Sequence, residues 1–272
     1  MRRTPLVVLC LAATAALTVA GCQSDPASAS ASPSGSGKSA QSEKSETSEK
    51  SGATRVADPF DGLSAAEIAD RAFKATREAG SLRMRGDVPD EETGGTIRID
   101  MAVDRDGRCA GTMSLDGEGK TELIRTGDTL YMKYDERFLR AQSEGEPAAD
   151  VDAAVALLAD QWTKTSAAGE DAKDAGGLCD LDAVLGEAEP AGTGLTRGES
   201  ADVDGRQAVV LHEKDGADRH TVYVAAEGKP YVLRLDSESA KEPGTLTFSA
   251  YDEPVSAEAP TGKVIDLDAL DG

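Results

Sequence analysis

From Ser81 onward the chain alternates apolar and polar residues with a period of two. Leu82 and Met84 alternate with Arg83 and Arg85, and Ile97, Ile99, Met101 and Val103 alternate with Arg98, Asp100 and Ala102. Cys109, Gly111, Met113 and Leu115 continue the pattern, followed by Leu123 and then by Leu130 and Met132. Each run predicts a strand with one apolar and one polar face. Asp106-Gly107, Asp116-Gly117 and Gly127-Asp128 supply the turn residues of antiparallel hairpins between them. A second set follows at 208–212, 221–226, 231–236 and 245–251.

Ahead of the strands the period is 3.6. Ser64-Ala65-Ala66-Glu67 is a capping box, with Leu63 and Ile68 placed as a hydrophobic staple. Ile68, Ala72, Ala75 and Ala79 mark one helical face, and Gly80 is its expected C-terminal stop. Between the strand sets, Phe138-Leu139, Val151 to Leu158, Trp162 and Leu178 to Leu185 are separated by loops and predict short helices. The layout predicts an α+β fold: a strongly curved antiparallel sheet, a half-barrel, with helices covering its concave face.

Composition narrows the partners. Among 272 residues, 50 acids against 29 bases give a formal charge of −21, which repels nucleic acid and anionic headgroups alike. Membrane attachment therefore needs something other than a basic patch, and the N-terminus offers it. Met1-Arg2-Arg3 precedes an apolar run from Leu6 to Ala20, too short to span a bilayer and suited to an export signal. Val19-Ala20-Gly21-Cys22 matches a lipobox, in which the Cys22 thiol takes a diacylglyceryl group and, with it, acyl chains such as palmitate. Arg2-Arg3 leaves the twin-arginine route open beside the general one.

The expected organisation is a signal segment over 1–21, a lipidated tether over 22–57 and a domain over 58–272, displayed on the outer face of a bacterial cell membrane. The tether is rich in Ser, Glu and Lys and has almost nothing apolar to bury, so it is expected to be disordered, with a reach of roughly 30–35 Å. Cys10 leaves with the signal and Cys22 carries lipid. Cys109 and Cys179 remain, an even pair that predicts a disulfide over the alternative of two free thiols.

The chain resembles the LolA-like bacterial lipoproteins of the LppX–LprG group. The resemblance rests on the opening helix, Gly127-Asp128-Thr129-Leu130-Tyr131-Met132, an insert ending near Trp162-Thr163-Lys164, Asp204-Gly205-Arg206-Gln207, and the closing Phe248 to Val255 stretch that runs into Ala259-Pro260. It implies an acyl-chain cavity between sheet and helices. The expected lining is Leu82, Met84, Ile97, Ile99, Met101, Met113, Leu130 and Met132, with Val155 and Leu158 from the insert. Alternation alone does not distinguish a lined cavity from a filled core.

No motif asks for catalysis. Asp104-Arg105-Asp106-Gly107 and Asp202-Val203-Asp204-Gly205 lack the later ligands of a calcium loop and fit hairpin turns. His212 and His220 stand on adjacent expected strands without a third ligand, so no metal or other cofactor is expected. There is no nucleophile elbow and no phosphate-cradling glycine loop. Two readings follow. One is a non-enzymatic carrier of lipid or glycolipid that hands its cargo to an envelope transporter. The other is a tethered interaction or sensory module with a packed core.

Overall fold

The computed structural model describes residues 59–90, 94–169, 172–186, 194–240 and 243–269. The signal segment, Cys22 and the tether lie outside the described residues.

Helix α1 (Ala65–Arg77) begins as its capping box dictates. The Glu67 N–H donates to Ser64 Oγ at 3.3 Å, and the Ser64 N–H donates to Glu67 Oε2 at 2.9 Å. The serine bonds hold the Glu67 carboxyl below its ordinary value. Ile68, Ala69, Ala72, Phe73 and Thr76 form the buried stripe. The helix stops at a Glu78 cap, before Gly80, whose N–H is taken by Asp252 as the chain turns into the first strand.

Five strands follow in an unbroken meander: β1 (Ser81–Pro89), β2 (Thr96–Asp104), β3 (Cys109–Leu115), β4 (Gly119–Thr126) and β5 (Thr129–Tyr134). The insert holds α2 (Glu136–Gln142), α3 (Ala148–Leu158), β6 (Trp162–Ser166), α4 (Lys173–Gly177) and α5 (Leu181–Leu185). Then come β7 (Thr196–Arg197), β8 (Ala201–Val203), β9 (Arg206–Asp215), β10 (Asp218–Ala225), β11 (Val232–Glu238), β12 (Pro243–Ser249) and β13 (Val264–Asp266). Among the described residues these strands make one open, curved, mostly antiparallel sheet of 13 strands, in which β12 pairs with β1 and so joins the late strands to the early ones.

One expectation needs correction. Trp162 begins a strand rather than belonging to a helix: β6 lies between β5 and β13, and buried Thr163 donates its hydroxyl to the Met132 carbonyl at 2.9 Å. Its alternation is too short to stand out in the sequence, and its β-branched threonines suit a pleated surface. The curved sheet is antiparallel, as expected, except at one edge among the described residues. β13 runs parallel to β6, reached through the long connection 250–263 rather than a hairpin.

One cluster joins α1, the segment around α4 and α5, and one face of the sheet. It includes Ile68 and Phe73 from α1, Leu181 and Leu185 from α5, and Leu82, Val103, Leu130, Leu211 and Val224 from the strands. Thr76 Oγ1 accepts the Val232 N–H at 2.9 Å and ties α1 to β11. Asp252 closes the C-terminal segment by accepting from Lys229, Tyr231 and Gly80. Lys229 first, then Tyr231 and Gly80, hold its carboxyl well below the usual carboxylate range. Cys109 and Cys179 form a disulfide across 70 residues, fastening β3 to the turn between α4 and α5.

Closing a loop of that length stabilises the fold by about 4 kcal/mol in the chain-entropy model. Replacing both cysteines by serine is therefore expected to lower the denaturant midpoint by an amount worth about 2–4 kcal/mol. An unchanged midpoint would show that the insert is held by packing alone.

Gly111 faces Met101 across β2–β3, and an added Cβ there would collide with the Asp100 carbonyl and the Met101 sulfur. Gly111→Ala is expected to cost about 1–3 kcal/mol through overpacking, read from urea unfolding.

Candidate functional site

Register settles which residues share a face. In β1 to β5 the apolar face is organised as rows that run across the strands. The first row is Leu82–Val103–Cys109–Arg125–Leu130, and the second is Phe248–Met84–Met101–Gly111–Leu123–Met132–Thr163. The third is Leu235–Leu246–Gly86–Ile99–Met113–Thr121–Tyr134. The fourth is Val88–Ile97–Leu115–Gly119.

Burial falls from row to row. Leu82, Met101 and Leu130 are 1%, 2% and 0% exposed, so no space the size of a water molecule lies beside them. They are packed under the helices. Met84 and Met132, each 8% exposed, stand at the edge of the packed zone. Ile99, Tyr134, Leu235 and Leu246 touch the core but remain half-buried. Met113, Val88, Ile97 and Leu115 are half-buried and lie outside the core cluster. The apolar face thus has a filled end and a half-covered end.

The insert shapes one side of it. Asp135 caps α2 by accepting the Phe138 N–H at 2.7 Å, and Phe138 stacks on Tyr134 with centroids 5.2 Å apart. Burial raises the Tyr134 hydroxyl above its ordinary value. Helix α3 leads from α2 back to the strand end, where the Asp160 N–H donates to the Tyr134 carbonyl at 2.8 Å. None of its residues is buried: Val155 and Leu158 are half-buried, and Leu157 is 51% exposed. All eight expected strand positions lie on the apolar face, but they divide between buried and half-buried rows. Leu115, Val88, Leu235 and Leu246 share the half-buried rows and were not among the expected lining residues. Their signal was the alternation itself, broken at Gly86 and Gly244, which carry no side chain on that face.

The polar face is an ion-pair lattice. Arg83 and Arg85 meet Asp100 at 2.6 and 3.0 Å, and Arg98 meets Asp116. The Arg83 and Arg85 bonds hold the Asp100 carboxyl below its usual value. A depression of about 480 Å³ lies there, lined by residues that include Arg85, Arg98, Thr112 and Thr247. His212 and His220 do not face each other. His212 pairs with Thr221, and His220 pairs with Glu213, which sends the two rings to opposite faces.

No family model matches the chain, and no curated protein matches it. Among solved structures it is similar to LprF from Mycobacterium bovis, with 17% identity, a TM-score of 0.49, and coverage of 73% of this chain and 97% of that one. It is also similar to the Mycobacterium tuberculosis lipoprotein LppX, with 16% identity, a TM-score of 0.45, and coverage of 71% and 98%. A conserved protein from Thermus thermophilus follows at 11% identity and a TM-score of 0.31, covering 74% of this chain and 97% of that one.

Proposed function

We propose that this chain is a cell-envelope lipoprotein that carries a lipid or another acylated ligand in a trough along the half-covered end of the apolar face. The observation that supports this reading is the burial gradient: Ile97, Ile99, Met113, Leu115 and Leu246 form a continuous apolar surface that the helices leave half-covered. An acyl chain laid there would gain about 0.8 kcal/mol per buried CH₂. Binding of this kind needs no covalent chemistry and allows release by transfer. In the same reading, residues 1–21 are the export signal and Cys22 carries the lipid anchor. Residues 22–57 tether the domain 58–272 on the outer face of the membrane, from which an envelope transporter would receive the cargo.

The test uses the full chain carrying Cys22→Ala, purified without an anchor and extracted with organic solvent for mass spectrometry. The parent is expected to yield acyl lipid. Met113→Trp, in the trough, should remove most of it and leave the melting temperature unchanged. Met101→Trp, in the packed floor, should instead destabilise by about 1–3 kcal/mol. A parent extract free of acyl lipid would overturn the reading. So would a Met113→Trp variant that melts as early as Met101→Trp.

A further inference from the structure

A second cavity, of about 520 Å³, lies at the far end of the sheet, where β7 and the β9–β10 hairpin meet. Its lining includes Thr196, His212, Lys214, Arg219 and Thr221. Alternation puts Lys214 and His212 on the polar face of β9, and Arg219 and Thr221 on the polar face of β10. Lys214 and Arg219 are direct cross-strand partners. Like charges placed opposite one another destabilise a sheet, because their Cβ atoms stand roughly 4.5–5.5 Å apart.

Several cations elsewhere on this face are matched. Arg83, Arg98, Lys133 and Arg234 each meet a carboxylate. Among the described residues neither Lys214 nor Arg219 does, although the chain carries 21 more acids than bases. Glu238 lines the same cavity without approaching either cation to ion-pair distance. Glu213 also lines the cavity, but it is buried and has its own partner. Asp218, on the hairpin, is engaged by the Ala240 N–H at 3.4 Å. The remaining polar side chains are two hydroxyls and the imidazoles of His212 and His220: His212 Nδ1 lies 3.2 Å from Thr221 Oγ1, and Thr196 Oγ1 donates to the His212 carbonyl at 3.4 Å. The unmatched groups in the cavity are therefore mainly donors.

We propose that this cavity binds a phosphate-type oxyanion, bridged between Lys214 and Arg219 and bordered by the Thr196, His212 and Thr221 side chains. The oxyanion neutralises the opposed cations and accepts charge-assisted hydrogen bonds from both. Its source is either the headgroup of an anionic lipid or free phosphate. The site is separate from the trough and does not depend on what the trough holds.

The full chain with Cys22→Ala is titrated with sodium phosphate at constant ionic strength, following the two histidine ring resonances by NMR. A parallel arm measures its sedimentation with phosphatidylcholine vesicles, with and without phosphatidylglycerol. Saturable phosphate binding, or binding only to vesicles that contain phosphatidylglycerol, is the expected result; the first assigns a free anion and the second a headgroup. Lys214→Gln with Arg219→Gln should weaken it about tenfold, as loss of two charge-assisted bonds implies. Arg206→Gln with Lys263→Gln removes the same charge from exposed positions elsewhere and should leave binding intact. The proposal is overturned if neither arm shows binding, if the Lys214/Arg219 variant binds as the parent does, or if both double variants lose binding equally.

Discussion

A single continuous sheet imposes one constraint on everything else: side chains alternate between its faces, so the apolar positions that share register across β1 to β5 land on one face. That face must be covered along its whole length or left in contact with something apolar. Helix α1 and the segment around α4 and α5 cover one end. Leu82, Val103 and Leu130 are shut away there, whereas Ile97, Met113 and Leu115, on the same strands, remain half-buried.

The fastenings are placed to hold that arrangement. The Cys109–Cys179 disulfide and the Thr76–Val232 hydrogen bond both act at the packed end. At the half-covered end, contact comes from Phe138 stacked on Tyr134 and from the Asp160 N–H on the Tyr134 carbonyl, just past α3, which buries none of its residues. Local stability should follow the same gradient, with the floor rigid and the insert beside the trough more easily opened. A carrier needs both properties: a floor that keeps its shape when empty, and a margin that admits a chain.

Much of this was legible in the sequence. The capping box at Ser64 and Glu67 marked the start of α1, and the period-two alternation placed Leu82, Met101 and Met113 on one face. What alternation could not supply is depth. Met101 and Met113 look alike in sequence, yet one is packed under helices and the other is open, because coverage depends on where α1 and α5 dock. β6 escaped notice because it spans only 5 residues and is flanked by helices. Its parallel partner β13 escaped because non-local pairing leaves no periodic signal. Opposition of Lys214 and Arg219 likewise depends on register across the β9–β10 hairpin, which residue types alone do not give.

The burial gradient as a ligand site is tested most directly by methyl NMR. The full chain with Cys22→Ala, labelled at Ile, Leu and Met methyls, is titrated with a spin-labelled long-chain fatty acid. The account predicts strong paramagnetic broadening at Ile97, Ile99, Met113 and Leu246, with Leu82 and Leu130 much less affected. Broadening confined to other surfaces, or none at any ratio of probe to protein, would contradict it.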